Sequence, residues 1–102
     1  MKLKNFQDLV EKRFTKKEIA EIERQAELEA RAIRSLQKSV SIAVSDYMEK
    51  NKVGFNEMTK RLNSNPAQLI KIKRGTANLT LASVAHIAAL LGQEPSLIFK
   101  KK

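Results

Sequence analysis

The chain has 102 residues, with 20 lysines and arginines against 11 aspartates and glutamates. The net charge of +9 favours a phosphate-bearing partner, either nucleic acid or an anionic membrane. The absence of cysteine excludes disulfides and thiolate metal sites, and no apolar run approaches the roughly 20 residues that span a bilayer.

The first half contains neither Gly nor Pro, so helix is its default. Met1 to Asn5 lacks the apolar region of a signal peptide, which predicts a cytoplasmic protein. Asn5 is placed to cap a short helix carrying Phe6, Leu9, Val10 and Phe14 on one stripe. Thr15 and Glu18 then form a capping box, and Phe14 and Ile19 are spaced as a hydrophobic staple, so a second helix starts at Lys16. Its apolar positions, Ile19, Ile22, Ala26, Ile33, Leu36, Val40, Ala43 and Tyr47, recur at steps of three and four, with Glu29 in one seat of the series. The pattern predicts one helix to about residue 51, roughly 54 Å long at 1.5 Å per residue. Ser35, Ser39, Ser41 and Ser45 lower its propensity and leave room for a bend near residues 35 to 39. Asn51 or Gly54 is expected to end it in the left-handed conformation.

A short helix over residues 57 to 62 turns Met58 and Leu62 inward. Asn63 suits a positive φ, Asn65 caps the next helix, and Pro66 occupies its first position, where a missing N–H costs nothing. That helix buries Leu69 and Ile72 and stops at Gly75. Thr80 caps a further helix with a stripe of Leu81, Val84, Ile87, Ala88 and Leu91, and Gly92 ends it. Ser96 to Phe99 reads as a last helical turn or as a strand that pairs with its copy in a dimer, followed by a basic tail, residues 100–102.

Charge is unevenly placed. Residues 18 to 30 hold five glutamates (Glu18, Glu21, Glu23, Glu27 and Glu29) against Arg24 alone, a local net of −4. Residues 58 to 75 hold Lys60, Arg61, Lys71, Lys73 and Arg74 with no acid. The helix from Pro66 to Arg74 presents Ala67, Gln68, Lys71 and Arg74 outward. Gln pairs with adenine, Lys reaches guanine O6 and N7, and an Ala methyl meets the thymine methyl. Base reading is therefore expected from Asn65, Ala67, Gln68 and Lys71, and phosphate contacts from Lys60, Arg61, Lys73, Arg74, Asn78 and Thr80. With a single histidine, His86, no cysteine and no Gly-rich phosphate loop, neither an enzyme, nor a metal site, nor a cofactor is expected.

The pattern Asn65-x-x-x-Leu69-x-x-Ile72-x-x-Gly75, followed by Leu79-Thr80-Leu81 and Ile87-Ala88-x-Leu90-Leu91-Gly92, resembles the phage-repressor-like (XRE, Cro/repressor type) helix-turn-helix family over roughly residues 36 to 99. Ser64, Ile70 and Lys73 depart from that family's usual residues. The resemblance implies an all-α, five-helix domain over residues 36–99 that binds palindromic double-stranded operators as a homodimer, with Pro66 to Arg74 as recognition helix. Phe6-Gln7-Asp8-Leu9 with Phe14-Thr15-Lys16-Lys17-Glu18-Ile19 ahead of such a domain is similar to HigA-type antitoxins. That likeness implies a helical arm over residues 1–35 that binds a small basic RelE-like ribonuclease toxin through Glu18, Ile19, Glu21, Ile22, Glu23, Glu27 and Glu29, in a protein that also represses their shared operon. A stand-alone phage or host regulator is the other reading of the same residues.

Overall fold

A computed structural model describes residues 14–101. The short helix expected over the residues after Asn5 lies outside them. Among the described residues there are four α-helices and no strand: α1 (Lys16–Lys50), α2 (Phe55–Arg61), α3 (Pro66–Arg74) and α4 (Leu81–Leu91). The chain divides into two compact units between Ile33 and Arg34, a boundary that falls inside α1. None of the helices is long and apolar enough to cross a membrane.

The start of α1 is the capping box read from the sequence. The Glu18 N–H donates to Thr15 Oγ1 at 3.1 Å, and the Glu18 carboxylate accepts from the Thr15 hydroxyl at 3.0 Å and its N–H at 3.5 Å. α1 then runs unbroken through its serines. Ser39 returns its hydroxyl to the Ser35 carbonyl at 3.1 Å, satisfying the donor without interrupting the helix.

The second unit is built on a core of Val44, Met48, Val53, Met58, Leu62, Leu69, Ile72, Ala77 and Ile87, with Val40, Tyr47, Phe55, Leu79, Leu90 and Leu91 packed around it. Val44, Met58 and Leu69 are completely buried, so α1, α2 and α3 each supply one fully enclosed side chain. Thr59, the buried polar residue, donates its hydroxyl to the Phe55 carbonyl at 2.9 Å. No buried side-chain nitrogen or oxygen among the described residues lacks a partner.

All four helices end in the same way. One residue takes a left-handed conformation, and it and its successor donate N–H groups back to carbonyls of the last turn. The left-handed residues are Lys52, Asn63, Gly75 and Gly92, at φ of 52°, 51°, 72° and 69°. The returning bonds are Val53 to Met48, Ser64 to Thr59, Thr76 to Lys71 and Gln93 to Ala88, all at 2.9–3.0 Å.

Three of these ends match the sequence reading, and the end of α1 differs from it. Neither Asn51 nor Gly54 is left-handed; Lys52 is. Val53 decides this, because it is 6% exposed and its inward position fixes the register of the turn. Gly54 is instead extended (φ −77°, ψ 170°) and precedes α2, which begins at Phe55, two residues before the expected start. Leu81, expected in the buried stripe of α4, is 80% exposed; Ile87 and Ala88 carry that helix's burial. Ser96 to Phe99 is neither helix nor strand, and residues 93–101 have no regular structure. Pro95 removes an N–H there, and the segment has no ladder partner among the described residues.

These ends make a direct stability prediction. Lys52→Gly relieves a left-handed lysine and should raise stability by about 1 kcal/mol, whereas Gly75→Ala imposes the same strain and should lower it by about 1–2 kcal/mol. A Cβ at Gly75 would meet nothing nearer than 3.9 Å, so backbone conformation alone sets that loss. Urea unfolding followed by circular dichroism checks both; equal midpoints for the two variants would refute the assignment.

Candidate nucleic-acid interface

α2 and α3 have 7 and 9 residues and are too short to persist alone. Their geometry comes from the turn between them and from the core beneath. In the turn, the Asn63 N–H donates to the Lys60 carbonyl and the Ser64 N–H to the Thr59 carbonyl, both at 3.0 Å. Asn65 then caps α3: its Oδ1 accepts from the Gln68 N–H at 2.9 Å, and Pro66 follows as the first helical residue.

Leu69 and Ile72 seat α3 in the core at 0% and 3% exposure. At 3.6 residues per turn, Ala67, Ile70, Lys71 and Arg74 share the opposite side. All four are exposed. Gln68, expected on that side, is half-buried at its margin and lines a groove of about 400 Å³ with Asn63, Ser64, Ser83 and His86. Ile70 is the outward residue that the sequence reading leaves out, at 40% exposure. Its spacing of three from Ala67 and four from Arg74 was the available signal.

Two bonds from α1 hold the far end of α3. Ser41 Oγ donates to the Lys73 carbonyl at 2.5 Å, and Gln37 Nε2 donates to the carbonyl of the buried Ala77 at 2.9 Å. His86, on α4, braces the end of α2 ahead of the turn, its Nε2 lying 3.2 Å from the Leu62 carbonyl. Because a carbonyl only accepts, this contact places the proton on Nε2.

The cations differ in their freedom. Lys60, Lys71, Lys73 and Arg74 are exposed and make no side-chain hydrogen bond or ion pair among the described residues. Arg61 is engaged: one terminal nitrogen lies 2.8 Å from Glu57 Oε1 and the other donates to the Tyr47 hydroxyl at 2.7 Å. Glu57 first and Tyr47 second raise its guanidinium above an already high ordinary pKa. What these partners consume is donors, and three of the five N–H groups remain. Thr80 Oγ1 accepts from the Ser83 N–H and donates to Ser83 Oγ, both at 3.1 Å, so its hydroxyl is committed to capping α4. Asn78 Oδ1 has a long contact with Gln37 Nε2 at 3.5 Å.

The acidic segment lies on the first half of α1. Glu18 is used in the capping box, and Glu21 holds Arg24 through contacts of 2.6 and 3.3 Å. The hydrogen bond from Arg24, then its charge, keeps the Glu21 carboxyl below its ordinary pKa. Glu29 accepts from Gln25 at 3.5 Å. Glu23 and Glu27 have no hydrogen-bond partner among the described residues. Ile22 is 49% exposed and Ile19 is half-buried.

No protein-family model, curated protein or solved structure matches the chain.

The division between residues that hold α3 and residues that α3 presents can be measured. Gln37→Ala leaves the buried Ala77 carbonyl without its partner and should cost about 1–3 kcal/mol. Lys71→Ala should change stability by less than about 0.5 kcal/mol, as a solvated position does. Chemical denaturation of both variants tests this, and a Lys71→Ala loss as large as that of Gln37→Ala would make Lys71 a structural residue.

Proposed function

We propose that the chain is a sequence-specific DNA-binding repressor of the phage-repressor-like helix-turn-helix type, with α3 as the helix that enters the major groove. One observation carries this reading: α3 is locked by Leu69 and Ile72 on one side and presents Ala67, Ile70, Lys71 and Arg74 to solvent on the other. DNA recognition requires such a rigid helix, with its N-terminal half near base edges. Lys71 then reads guanine, Ala67 and Ile70 meet thymine methyl groups, and the Asn65 amide nitrogen, which the cap leaves free, donates to a base or phosphate. Gln68 reads adenine after turning out of its half-buried groove.

Lys60, Lys73 and Arg74, with the remaining donors of Arg61, hold phosphates. Asn78 and the backbone at Thr80 extend that contact at the start of α4. A homodimer would set two α3 helices about 34–36 Å apart on a palindromic operator and block transcription there.

The acidic half of α1 supports the more specific role of antitoxin, with residues 1–35 as the arm that holds a small basic ribonuclease. Glu23 and Glu27 supply charge and Ile22 an exposed apolar contact beside them. Residues 36–99 would be the repressor domain acting on the shared operon, in the cytoplasm.

DNA binding is tested on an operator selected from random duplexes. Lys71→Ala should shift base preference at one position by about 1–3 kcal/mol, while Arg74→Ala should weaken all sequences alike and reduce the salt slope by about one. If neither variant altered binding, α3 would not be the reading helix.

The antitoxin role is tested with a basic ribonuclease encoded beside this chain. The wild-type chain should relieve its growth arrest on co-expression, and Glu23→Lys with Glu27→Lys should fail to, with operator binding retained. A chain that binds its operator but captures no such partner is a stand-alone regulator.

A further inference from the structure

The apolar series of α1 is packed over only part of its length. From Ile19 to Tyr47 it steps by three and four in strict alternation, which is the period of a coiled-coil seam. Two later members, Val40 and Tyr47, pack against the core built on Val44 and Met48. Earlier members stand in water: Ile22, Ile33 and Leu36 are 49%, 51% and 49% exposed, Ala26 is exposed with them, and Ile19 is half-buried. None of these five belongs to the core. Large apolar side chains aligned over about five turns of helix mark an interaction surface.

We propose that the stripe from Ile19 to Leu36 pairs with the same stripe of a second copy of this chain, the two helices running antiparallel. Two features select a copy of this chain and that orientation. The first is Glu29, the one charged seat of the series. With Ile19 opposite the partner's Leu36 and Ile22 opposite the partner's Ile33, Ala26 falls opposite the partner's Glu29. The methyl side chain leaves that carboxylate room to reach water, and every isoleucine and leucine of the stripe meets another. A shift of one heptad in either direction sets Glu29 against Ile19 or Ile33. A parallel pair sets the two copies of Glu29 against each other, like charge on like. The second feature is the order of charge. Residues 18–24 hold Glu18, Glu21 and Glu23 against Arg24, while residues 31–37, which lie alongside them in this register, hold Arg31 and Arg34 and no acid. A parallel pair lines up equal signs instead. The stripe is therefore complementary to itself, as an isologous interface requires.

This inference goes beyond the repressor reading, and its test uses neither DNA nor ribonuclease. In the antitoxin reading Ile22 is then shared, and a ribonuclease seated on it displaces the partner copy. Sedimentation velocity of the full chain at about 10–100 micromolar should show a monomer–dimer equilibrium. Ile22→Asp with Ile33→Asp should weaken self-association roughly tenfold or more, and Glu29→Leu, which fills the charged seat, should strengthen it by roughly as much. Disulfide trapping reads the orientation, because the chain has no cysteine of its own. A mixture of Ile22→Cys and Ile33→Cys chains should cross-link on mild oxidation, and neither variant alone should do so.

A monomeric wild-type chain would overturn the proposal. So would a dimer indifferent to the changes at Ile22, Ile33 and Glu29, or an Ile22→Cys chain that cross-links to itself, which marks a parallel pair. If the aspartate variant failed to fold, the cysteine mixture would decide alone. A chain that pairs in this way but binds no operator counts against the DNA reading only, and one that pairs but captures no ribonuclease counts against the antitoxin reading only.

Discussion

Leu69 and Ile72 have one place to go, and much of residues 34–101 follows from that. α3 is a nine-residue helix rich in lysine and cannot hold its conformation in water. Burying Leu69 completely, against a core that includes Val44 and Met58, contributes about 1.5–3 kcal/mol and ties the helix to α1 and α2 at once. The same burial fixes the helix's rotation. With Leu69 and Ile72 inward, Ala67, Ile70, Lys71 and Arg74 have to point outward, whatever their own preferences. The face available to a partner is thus the complement of the packing.

Rotation alone leaves the helix free to slide along its axis, and the ends prevent this. Asn65 and Pro66 fix where α3 starts, and the left-handed Gly75 fixes where it stops. His86 on the Leu62 carbonyl ties the end of α2 to α4, and Ser41 and Gln37 on the Lys73 and Ala77 carbonyls tie the C-terminal end of α3 and the loop after it to α1. Each bond is modest, about 1 kcal/mol net. Together they brace the turn that leads into α3 and the end that leaves it, and a displacement of one residue would break them and bury a lysine.

The sequence made local chemistry legible and left distant pairings illegible. The Thr15–Glu18 box, the Asn65–Pro66 start, the Thr80 cap and the ends at Asn63, Gly75 and Gly92 are each written within a few residues, and the structure has them where the spacing puts them. Lys52 was illegible because lysine has no preference for a positive φ; the burial of Val53 imposes it. The long link from Gln37 to Ala77 spans 40 positions, and that from Arg61 to Tyr47 spans 14, with no signal at either end. Periodicity also overreached at Leu81, whose stripe position lies in the first turn of α4, where it is left in solvent.

The outward side of α3 combines two kinds of group whose contributions would differ in DNA binding. Lysine and arginine act at range on any phosphate backbone, so they raise affinity for every sequence and lose strength as salt rises. Ala67 and Ile70 offer nothing to phosphate. An exposed isoleucine among four unpaired cations is instead suited to a small apolar target at contact distance, and in the major groove the thymine methyl is that target. If α3 reads DNA, Lys71 would supply guanine recognition, and Ile70, the outward position that departs most in chemistry from its charged neighbours, would supply a thymine contact that no lysine can make. The electrostatic component would fade with salt while the methyl contact would not, so discrimination at the thymine step should persist under conditions that erode overall affinity.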